Sequence, residues 1–138
     1  MKIYFAGSVR AGRENQEIFS KIVSKLKEYG QVLTEHLGDS QLTDRGEPNK
    51  PESEIYERDM AWLGEADVLV AEVSTPSLGV GYEIRAAEND GKPVLCLYKS
   101  GLWLSAMIKG ASRLKRAEYS NEAEIDQALA RFFNDLNK

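Results

Sequence analysis

The sequence contains few of the residues from which disulfides and metal sites are built. Its 138 residues include one cysteine and one histidine, so no internal disulfide can form and the usual soft metal ligands are scarce. No apolar run approaches the roughly 20 residues that a membrane helix needs. The apolar start at residues 3–6 is interrupted at once by Gly7 and Ser8, unlike a signal peptide. These absences predict a soluble, cytoplasmic protein without a structural metal.

Neither sign of charge is in large excess. The chain has 18 Lys and Arg against 22 Asp and Glu, a formal net charge of −4, which does not favour a general binder of nucleic-acid polymers. A local basic pocket is still compatible with this balance. Hydrophobic residues make up 42% of the chain, enough for a core and too many for a disordered segment. We expect a single domain over residues 1–138.

Apolar runs alternate with helical patterns along the chain. Strands are predicted at residues 2–6, 31–34, 67–73, 94–98 and 115–119. Helices are predicted at residues 14–29, 52–65, 82–89, 102–109 and 121–137, with a long loop at 38–51. Asn121 and Glu124 form a capping box for the last helix. The alternation predicts an α/β fold: a flavodoxin-like, doubly wound, five-stranded parallel sheet with helices on both faces.

Ligands of such sheets bind at the carboxyl ends of the strands, where the strand order reverses. This rule singles out residues 7–13, after the first strand, and residues 74–81, after the third. These two loops are therefore the candidate binding loops.

The first loop, GSVRAGR, predicts an anion site. Gly7 and Gly12 let backbone N–H groups approach an anion, and the helix that follows adds a favourable dipole. Ser8 and Arg10 add a donor and a positive charge. The phosphate-binding motifs of triphosphate and dinucleotide sites are absent, so a monophosphate fits best. An ordinary strand-to-helix turn with solvated arginines is an equal alternative for this loop alone.

The second loop, TPSLGVGYE, brings further candidates to the same edge of the sheet. Gly79 and Gly81 allow close approach of a ligand, and Ser77 adds a donor. Glu83 is predicted in the first turn of the third helix, where the helix end would stabilise its ionised form. An ionised carboxylate at this edge is a candidate nucleophile or general base. On position alone, a first-turn glutamate without a chemical role is favoured.

Asp59 lies on the apolar face of the second predicted helix, in line with Ile55 and Trp62. A carboxylate on such a face must be paired or line a cavity. Asp59 and Glu83 would then face one cleft, the arrangement used in glycosidic-bond chemistry. The alternative is a structural aspartate bonded to a backbone amide or to an arginine. Tyr4, on the first strand, either bonds a carboxylate in the cleft or belongs to the core.

Several blocks of the sequence, in order, carry a resemblance to a known family. They are IYFAGSVRAGRE, ERDMAWL, ADVLVAEVSTPSLGVGYE, GKPVLCLY and LSAMIKG. Together they resemble the 2'-deoxynucleoside 5'-phosphate N-hydrolases, relatives of the nucleoside 2-deoxyribosyltransferases, from Ile3 to about Gly110. The resemblance implies hydrolysis of the N-glycosidic bond of a deoxynucleoside monophosphate to a free base and 2-deoxyribose 5-phosphate. It implies no metal and no organic cofactor.

The resemblance also implies roles for individual residues. Glu83 would be the nucleophile that attacks C1' and forms a glycosyl-enzyme. Tyr4 would orient Glu83 and crowd a 2'-hydroxyl, and Asp59 would be the acid–base or substrate-positioning carboxylate. Residues that would hold the 5'-phosphate are Ser8, Arg10, Gly12 and Ser77, with Val9 near the base. The resemblance also implies a homodimer in which the partner chain completes the phosphate pocket. Ser105 of the partner is the main candidate for this contact, and Met107 is an additional one.

Three other functions stay open at this point. A deoxyribosyltransferase would pass the sugar to another base, but it would not need the arginine-bearing loop. An N-glycosidase of ribonucleotides such as CMP would have to tolerate a 2'-hydroxyl, for which Phe in place of Tyr4 would leave more room. A non-catalytic nucleotide-binding regulator would need neither Asp59 nor Glu83.

Overall fold

A computed structural model describes residues 1–9, 12–38 and 47–138 of the chain. In this part of the chain the strands are β1 (Lys2–Gly7), β2 (Gln31–Val32), β3 (Val68–Glu72), β4 (Val94–Lys99) and β5 (Lys115–Tyr119). The helices are α1 (Arg13–Leu26), α2 (Glu52–Glu65), α3 (Leu78–Asn89), α4 (Ala106–Lys109) and α5 (Glu122–Leu136), with a 3₁₀ turn at Glu35–Gly38. None of the helices within these ranges is long and apolar enough to cross a membrane.

The strands form one parallel sheet in the order β2-β1-β3-β4-β5. From β1 the chain first moves outward to β2 and then crosses back to β3 on the other side of β1. The strand order therefore reverses between β1 and β3, whose ends are aligned through the pairing of Gly7 with Glu72. The predicted doubly wound, five-stranded parallel sheet is confirmed, and its switch point lies at the two loops singled out from the sequence.

Alternate residues of β1 divide the core between the two faces of the sheet, because successive side chains of a strand point to opposite faces. Ile3 and Phe5 pack in the apolar cluster that includes residues of α1 and α5. Tyr4 and Ala6 pack in the other cluster, with residues of α2 and α3 such as Leu63 and Ile84. Tyr4 consequently faces the side of the sheet on which the two predicted carboxylates are carried.

Four predicted elements have clearly different bounds in the structure. Helix α1 ends at Leu26 rather than at residue 29, α4 begins at Ala106 rather than at residue 102, and α3 and β2 differ for identifiable reasons. Helix α3 begins at Leu78 rather than at residue 82, because the Ser77 hydroxyl accepts a hydrogen bond from the Val80 N–H (3.3 Å) and opens the helix earlier. Strand β2 is two residues long. Thr34, predicted as strand, instead bonds through its hydroxyl to both the N–H (2.9 Å) and the carbonyl (2.7 Å) of Phe5.

The C-terminal prediction is confirmed in its details. The Asn121 side chain accepts a hydrogen bond from the Glu124 N–H (3.0 Å), and the Glu124 carboxylate accepts one from the Ser120 N–H (2.8 Å). This reciprocal arrangement fixes the start of α5. Of the predicted loop at residues 38–51, residues 39–46 lie outside the described part of the chain.

Candidate active site

Tyr4 and Glu83 meet at the carboxyl edge of the sheet. The Tyr4 side chain, 1% exposed, points from β1 toward α3, and its hydroxyl donates a hydrogen bond to the Glu83 carboxylate. The sequence predicted Glu83 in the first turn of α3, which is wrong. Because α3 begins at Leu78, Glu83 lies in the second turn, where the helix end contributes little to its charge state.

The environment of Glu83 raises rather than lowers its pKa. Burial of the carboxyl group raises the pKa to about 7, the hydrogen bond from Tyr4 opposes that rise, and the negative charge of Asp59 adds to it. The expectation of a carboxylate kept ionised by a helix end is therefore wrong. Burial and the nearby Glu83 raise the pKa of the Tyr4 hydroxyl, so it remains a donor near neutral pH.

Asp59 is paired with an arginine and acts electrostatically on Glu83 and Tyr4. Its carboxylate accepts hydrogen bonds from Nε (3.1 Å) and Nη2 (3.0 Å) of the neighbouring Arg58 on α2. Its charge also raises the pKa values of Glu83 and Tyr4, so the three groups share one electrostatic environment. The arginine-bonded aspartate is therefore observed, whereas the role of Asp59 as a carboxylate lining the cleft stays a prediction.

Arg58 joins Asp59 to a second carboxylate. Its Nη1 and Nη2 atoms donate to the two oxygens of Glu47 at 2.7 and 2.6 Å. The guanidinium carbon lies 4.7 Å from the centre of the Trp62 ring, a cation–π contact. Arg58 and Glu47 were not predicted from the sequence as site residues. The four-residue spacing of Arg58 and Trp62 on a helix could have indicated their contact. The pairing of Arg58 with Glu47 could not have been predicted in this way, because it depends on the path of the intervening loop.

The first binding loop is described only in part. Arg10 lies outside the described residues, so its predicted position beside a phosphate stays a prediction. Ser8 is buried. At Gly7 a Cβ atom would lie 2.7 Å from the Phe19 ring, so only glycine allows the loop to pack this closely on α1. Gly12, with φ of +88°, precedes α1 in a conformation that favours glycine, and it places no side chain at the start of the helix.

The remaining predicted residues lie around a neighbouring groove of about 1440 Å³ between α3 and α4. Ser77, Ser105 and Met107 line it, whereas Tyr4, Asp59 and Glu83 do not. Gly79 follows Ser77 in the first turn of α3, and Ser105 caps α4 by accepting a hydrogen bond from the Met107 N–H (3.2 Å). The structure thus groups the predicted residues into a carboxylate site and an adjacent serine-lined groove.

Apolar side chains surround this groove and face solvent in the single chain. Leu78 is 97% exposed, Trp103 is 96% exposed and Met107 is 81% exposed. Such a concentration of exposed large apolar side chains is typical of an interaction surface.

A second tyrosine–glutamate pair, which was not predicted from the sequence, lies on the opposite face of the sheet. Glu72, 2% exposed, accepts hydrogen bonds from the Tyr119 hydroxyl, the Ser74 N–H (2.7 Å) and the Ser74 hydroxyl (2.9 Å). The Ser74 hydroxyl in turn accepts one from the Lys99 N–H (2.9 Å). The sequence feature that could have indicated this pair is Glu72, a charged residue within a strand predicted to be buried on both faces. The pair fixes the start of the loop that leads to Ser77.

Comparison with known proteins identifies relatives of this chain. The family model described as nucleoside 2-deoxyribosyltransferase matches residues 3–127. The 5-hydroxymethyl-dUMP N-hydrolase of Mus musculus is 53% identical over 137 residues, covering 95% of this chain and 79% of that protein.

Two solved structures share the fold at lower identity. A CMP N-glycosidase of Clostridium botulinum superposes with a TM-score of 0.66 at 19% identity, covering 94% of this chain and 99% of that one. A 2-deoxyribosyltransferase of Bacillus psychrosaccharolyticus superposes with a TM-score of 0.67 at 22% identity, covering 91% and 90%.

Proposed function

We propose that this chain, which belongs to the nucleoside 2-deoxyribosyltransferase family, hydrolyses the N-glycosidic bond of 2'-deoxynucleoside 5'-monophosphates. The products are a free base and 2-deoxyribose 5-phosphate. The observation that carries the proposal is the hydrogen bond from Tyr4 to Glu83 within the field of Asp59, at the switch point of the sheet. The similarity to a 5-hydroxymethyl-dUMP N-hydrolase makes 5-hydroxymethyl-dUMP the first substrate to test.

Glu83 is the proposed nucleophile. Its ionised carboxylate attacks C1' of the sugar, a C1'–O bond forms, and the C1'–N bond breaks with its electron pair leaving on the base. The base takes up a proton from water, and Asp59 positions the substrate. A water molecule then attacks C1', gives its proton to a basic group of the site, and releases Glu83 as a carboxylate. A pKa of about 7 leaves a substantial fraction of Glu83 ionised at neutral pH.

Tyr4 is the proposed orienting residue. By donating to one oxygen of Glu83 it fixes the rotation of the carboxylate and leaves the other oxygen available for attack. Because the Tyr4 side chain is almost fully buried under α3, it cannot move aside easily. Proximity of the phenol to C2' would crowd a 2'-hydroxyl, which favours deoxyribose.

The 5'-phosphate is the proposed ligand of the first binding loop. Ser8, Arg10 and Gly12 would contact it at the start of α1, where backbone N–H groups and the helix dipole favour an anion. Gly7 allows this loop to approach α1 closely. Val9, in the same loop, would lie near the base. Ser77, with Gly79 beside it, would contact the phosphate from the second loop.

A second subunit is proposed to complete the phosphate pocket. Ser105 and Met107 of the partner chain would reach it from α4. The exposed apolar side chains around α3 and α4 support association through this face. A cytoplasmic location remains a prediction from the sequence.

The proposal is tested by incubating the protein with deoxynucleoside and ribonucleoside monophosphates and measuring free base by chromatography. Release from a deoxynucleotide that is abolished in Glu83→Ala would support it. Base exchange with an added base, without release to water, would instead identify a transferase. Nucleotide binding with no turnover would leave only a binding protein.

A further inference from the structure

We infer that Arg58 is a positioning residue: its guanidinium holds the Asp59 carboxylate beside the Tyr4–Glu83 pair and is itself held by Glu47 and Trp62. The inference rests on the proposed function, because the role of Asp59 belongs to that proposal. Arg58 would act through Asp59 rather than on the substrate.

The contact between Arg58 and Asp59 is not a consequence of helix geometry. Side chains at adjacent positions of an α-helix point about 100° apart and do not face each other. Arg58 nevertheless donates from both Nε and Nη2 to a single oxygen of Asp59, at 3.1 and 3.0 Å. The arginine must therefore fold back along α2, and something outside these two residues has to hold it there.

Glu47 and Trp62 supply that restraint. Glu47 receives two parallel hydrogen bonds at 2.7 and 2.6 Å, the forked geometry in which arginine binds carboxylates most specifically. Trp62, one turn further along α2, covers a face of the guanidinium at 4.7 Å. The Arg58 side chain is only 20% exposed. The contacts with Glu47 and Trp62 together fix the position and the orientation of its guanidinium plane.

Arg58 is the cation that binds Glu47 directly, whereas His36 lies further away. His36 Nε2 lies 4.0 Å from the Glu47 carboxylate, but burial and the nearby Arg58 lower the pKa of His36. The imidazole is thus mainly neutral at pH 7. The hydrogen bonds from Arg58 lower the pKa of Glu47, so Glu47 stays ionised and the forked pair persists.

The arrangement explains how Asp59 can remain near Glu83 without a rigid packing environment of its own. Asp59 is about a quarter exposed, and a mobile carboxylate beside another carboxylate would tend to turn toward water. The two hydrogen bonds from Arg58 remove that freedom. A displacement of a reacting group by about 1 Å can cost about 100-fold in rate, so a restraint on Asp59 matters for turnover.

The test compares Arg58→Met, Arg58→Lys, Glu47→Gln and Asp59→Asn, with the double variant Arg58→Met/Asp59→Asn. Activity is measured on the deoxynucleotide that the wild-type protein cleaves best. Arg58→Met is expected to lower kcat/KM by about 10- to 100-fold and to move the same parameter, kcat or KM, that Asp59→Asn moves. Arg58→Lys should recover little, because the single nitrogen of lysine cannot reproduce the planar set of donors that Arg58 directs at Glu47 and Asp59. Arg131→Met, on the exposed side of α5, is the control.

The double variant is decisive. If Arg58 acts through Asp59, adding Arg58→Met to Asp59→Asn costs almost nothing more. Independent, multiplying losses would overturn the inference, and so would wild-type rates in Arg58→Met. Thermal unfolding and circular dichroism identify any variant that does not fold. In that case Glu47→Gln, which keeps the arginine, replaces Arg58→Met in the cycle. A wild-type protein that cleaves no nucleotide would refute the proposed function instead, so the two failures are distinct.

Discussion

The hydroxyl of Tyr4 donates its hydrogen bond to Glu83 across 79 positions of sequence, from the first strand to the third helix. The bond lies where the strand order reverses, the place at which doubly wound sheets bind their ligands. It has opposite consequences for the two partners. The carboxylate gains a donor that favours its ionised form, while the pKa of the phenol rises and the proton stays on oxygen.

The pH dependence of activity should report Glu83. Because burial raises the pKa of Glu83 to about 7, the acidic limb of kcat/KM is expected to have its midpoint near pH 7. Tyr4→Phe removes a bond that lowers this pKa, so the limb should move to higher pH. Asp59→Asn removes a charge that raises it, so the limb should move to lower pH.

The control for these profiles is internal. The substrate phosphate also titrates, with a second pKa of about 6, but its contribution is the same in every variant when one substrate is used. Shifts of both variants in the same direction, or no shift in either, would contradict the assignment of this limb to Glu83.

Stability should depend on pH through the same group. A carboxyl whose pKa is higher in the folded state than in the unfolded state binds more protons when folded, so stability falls as pH rises through the interval between the two values. For Glu83 that interval runs from about 4.5 to about 7. Glu83→Gln, which stays neutral, should therefore gain stability over the wild type between pH 5 and pH 8.

The gain should approach about 3 kcal/mol at pH 8 and vanish near pH 4.5. Urea unfolding at several pH values measures it. A constant difference across this range would mean that Glu83 is not the group that titrates. The measurement needs no substrate, so it tests the electrostatics of the site independently of the proposed reaction.

Most of the fold could be predicted because the inner strands β1, β3 and β4 are largely buried on both faces. Runs such as VLCLY at 94–98 carry a strand signal that does not depend on tertiary context, and β4 is observed at Val94–Lys99. The start of helix α3 was not predicted. Gly79 and Gly81 suggested a loop because glycine is a poor helix former, yet the Ser77 cap and the burial of Val80 and Ile84 overcome that preference.

The site was predictable to the extent that its residues follow local patterns. Helical spacing placed Asp59 on an inward face, and the resemblance named Tyr4 and Glu83. The pairs Arg58–Glu47 and Glu72–Tyr119 were not predicted, because each joins elements whose proximity exists only after folding. The direction of the Glu83 pKa was wrong for the same reason, since burial is a tertiary property and it outweighs the helix end.

Sugar selectivity should depend on Tyr4. If its phenol crowds C2', the wild-type protein should prefer a deoxynucleotide over the matching ribonucleotide. Tyr4→Phe removes the oxygen nearest to Glu83, so activity on the deoxynucleotide should fall and the preference should narrow by about 10-fold or more. Parallel measurements of kcat/KM on both sugars check this. An unchanged ratio with lower activity would restrict Tyr4 to orienting Glu83.

Tyr119 should matter for stability. Removing its hydroxyl in Tyr119→Phe leaves the buried Glu72 carboxylate with one donor fewer, at a cost of about 1–3 kcal/mol. The control is Tyr29→Phe, whose ring stacks on Phe133 at 4.3 Å and which should change stability by less than about 0.5 kcal/mol. Denaturant unfolding of both variants makes the comparison. A loss of stability in Tyr119→Phe as small as that in Tyr29→Phe would mean that Glu72 finds another donor.

Association through the groove between α3 and α4 can be tested by substitution. Met107→Glu places a charge in the exposed apolar surface, so a wild-type dimer in light scattering should become a monomer, and activity should fall with it. Ala123→Glu, an exposed position on α5, adds the same charge elsewhere and should do neither. A wild-type monomer with full activity would contradict the proposed second subunit.

Mixed dimers test whether Ser105 acts across the interface. Glu83→Gln and Ser105→Ala subunits should each be impaired alone. If Ser105 serves the partner's site, a mixed dimer contains one site with Glu83 from the Ser105→Ala chain and Ser105 from the Glu83→Gln chain. Random mixing of equal amounts then restores about a quarter of the wild-type sites. If Ser105 instead serves the site of its own chain, the mixture cannot exceed the average of its two components, because neither chain carries both groups.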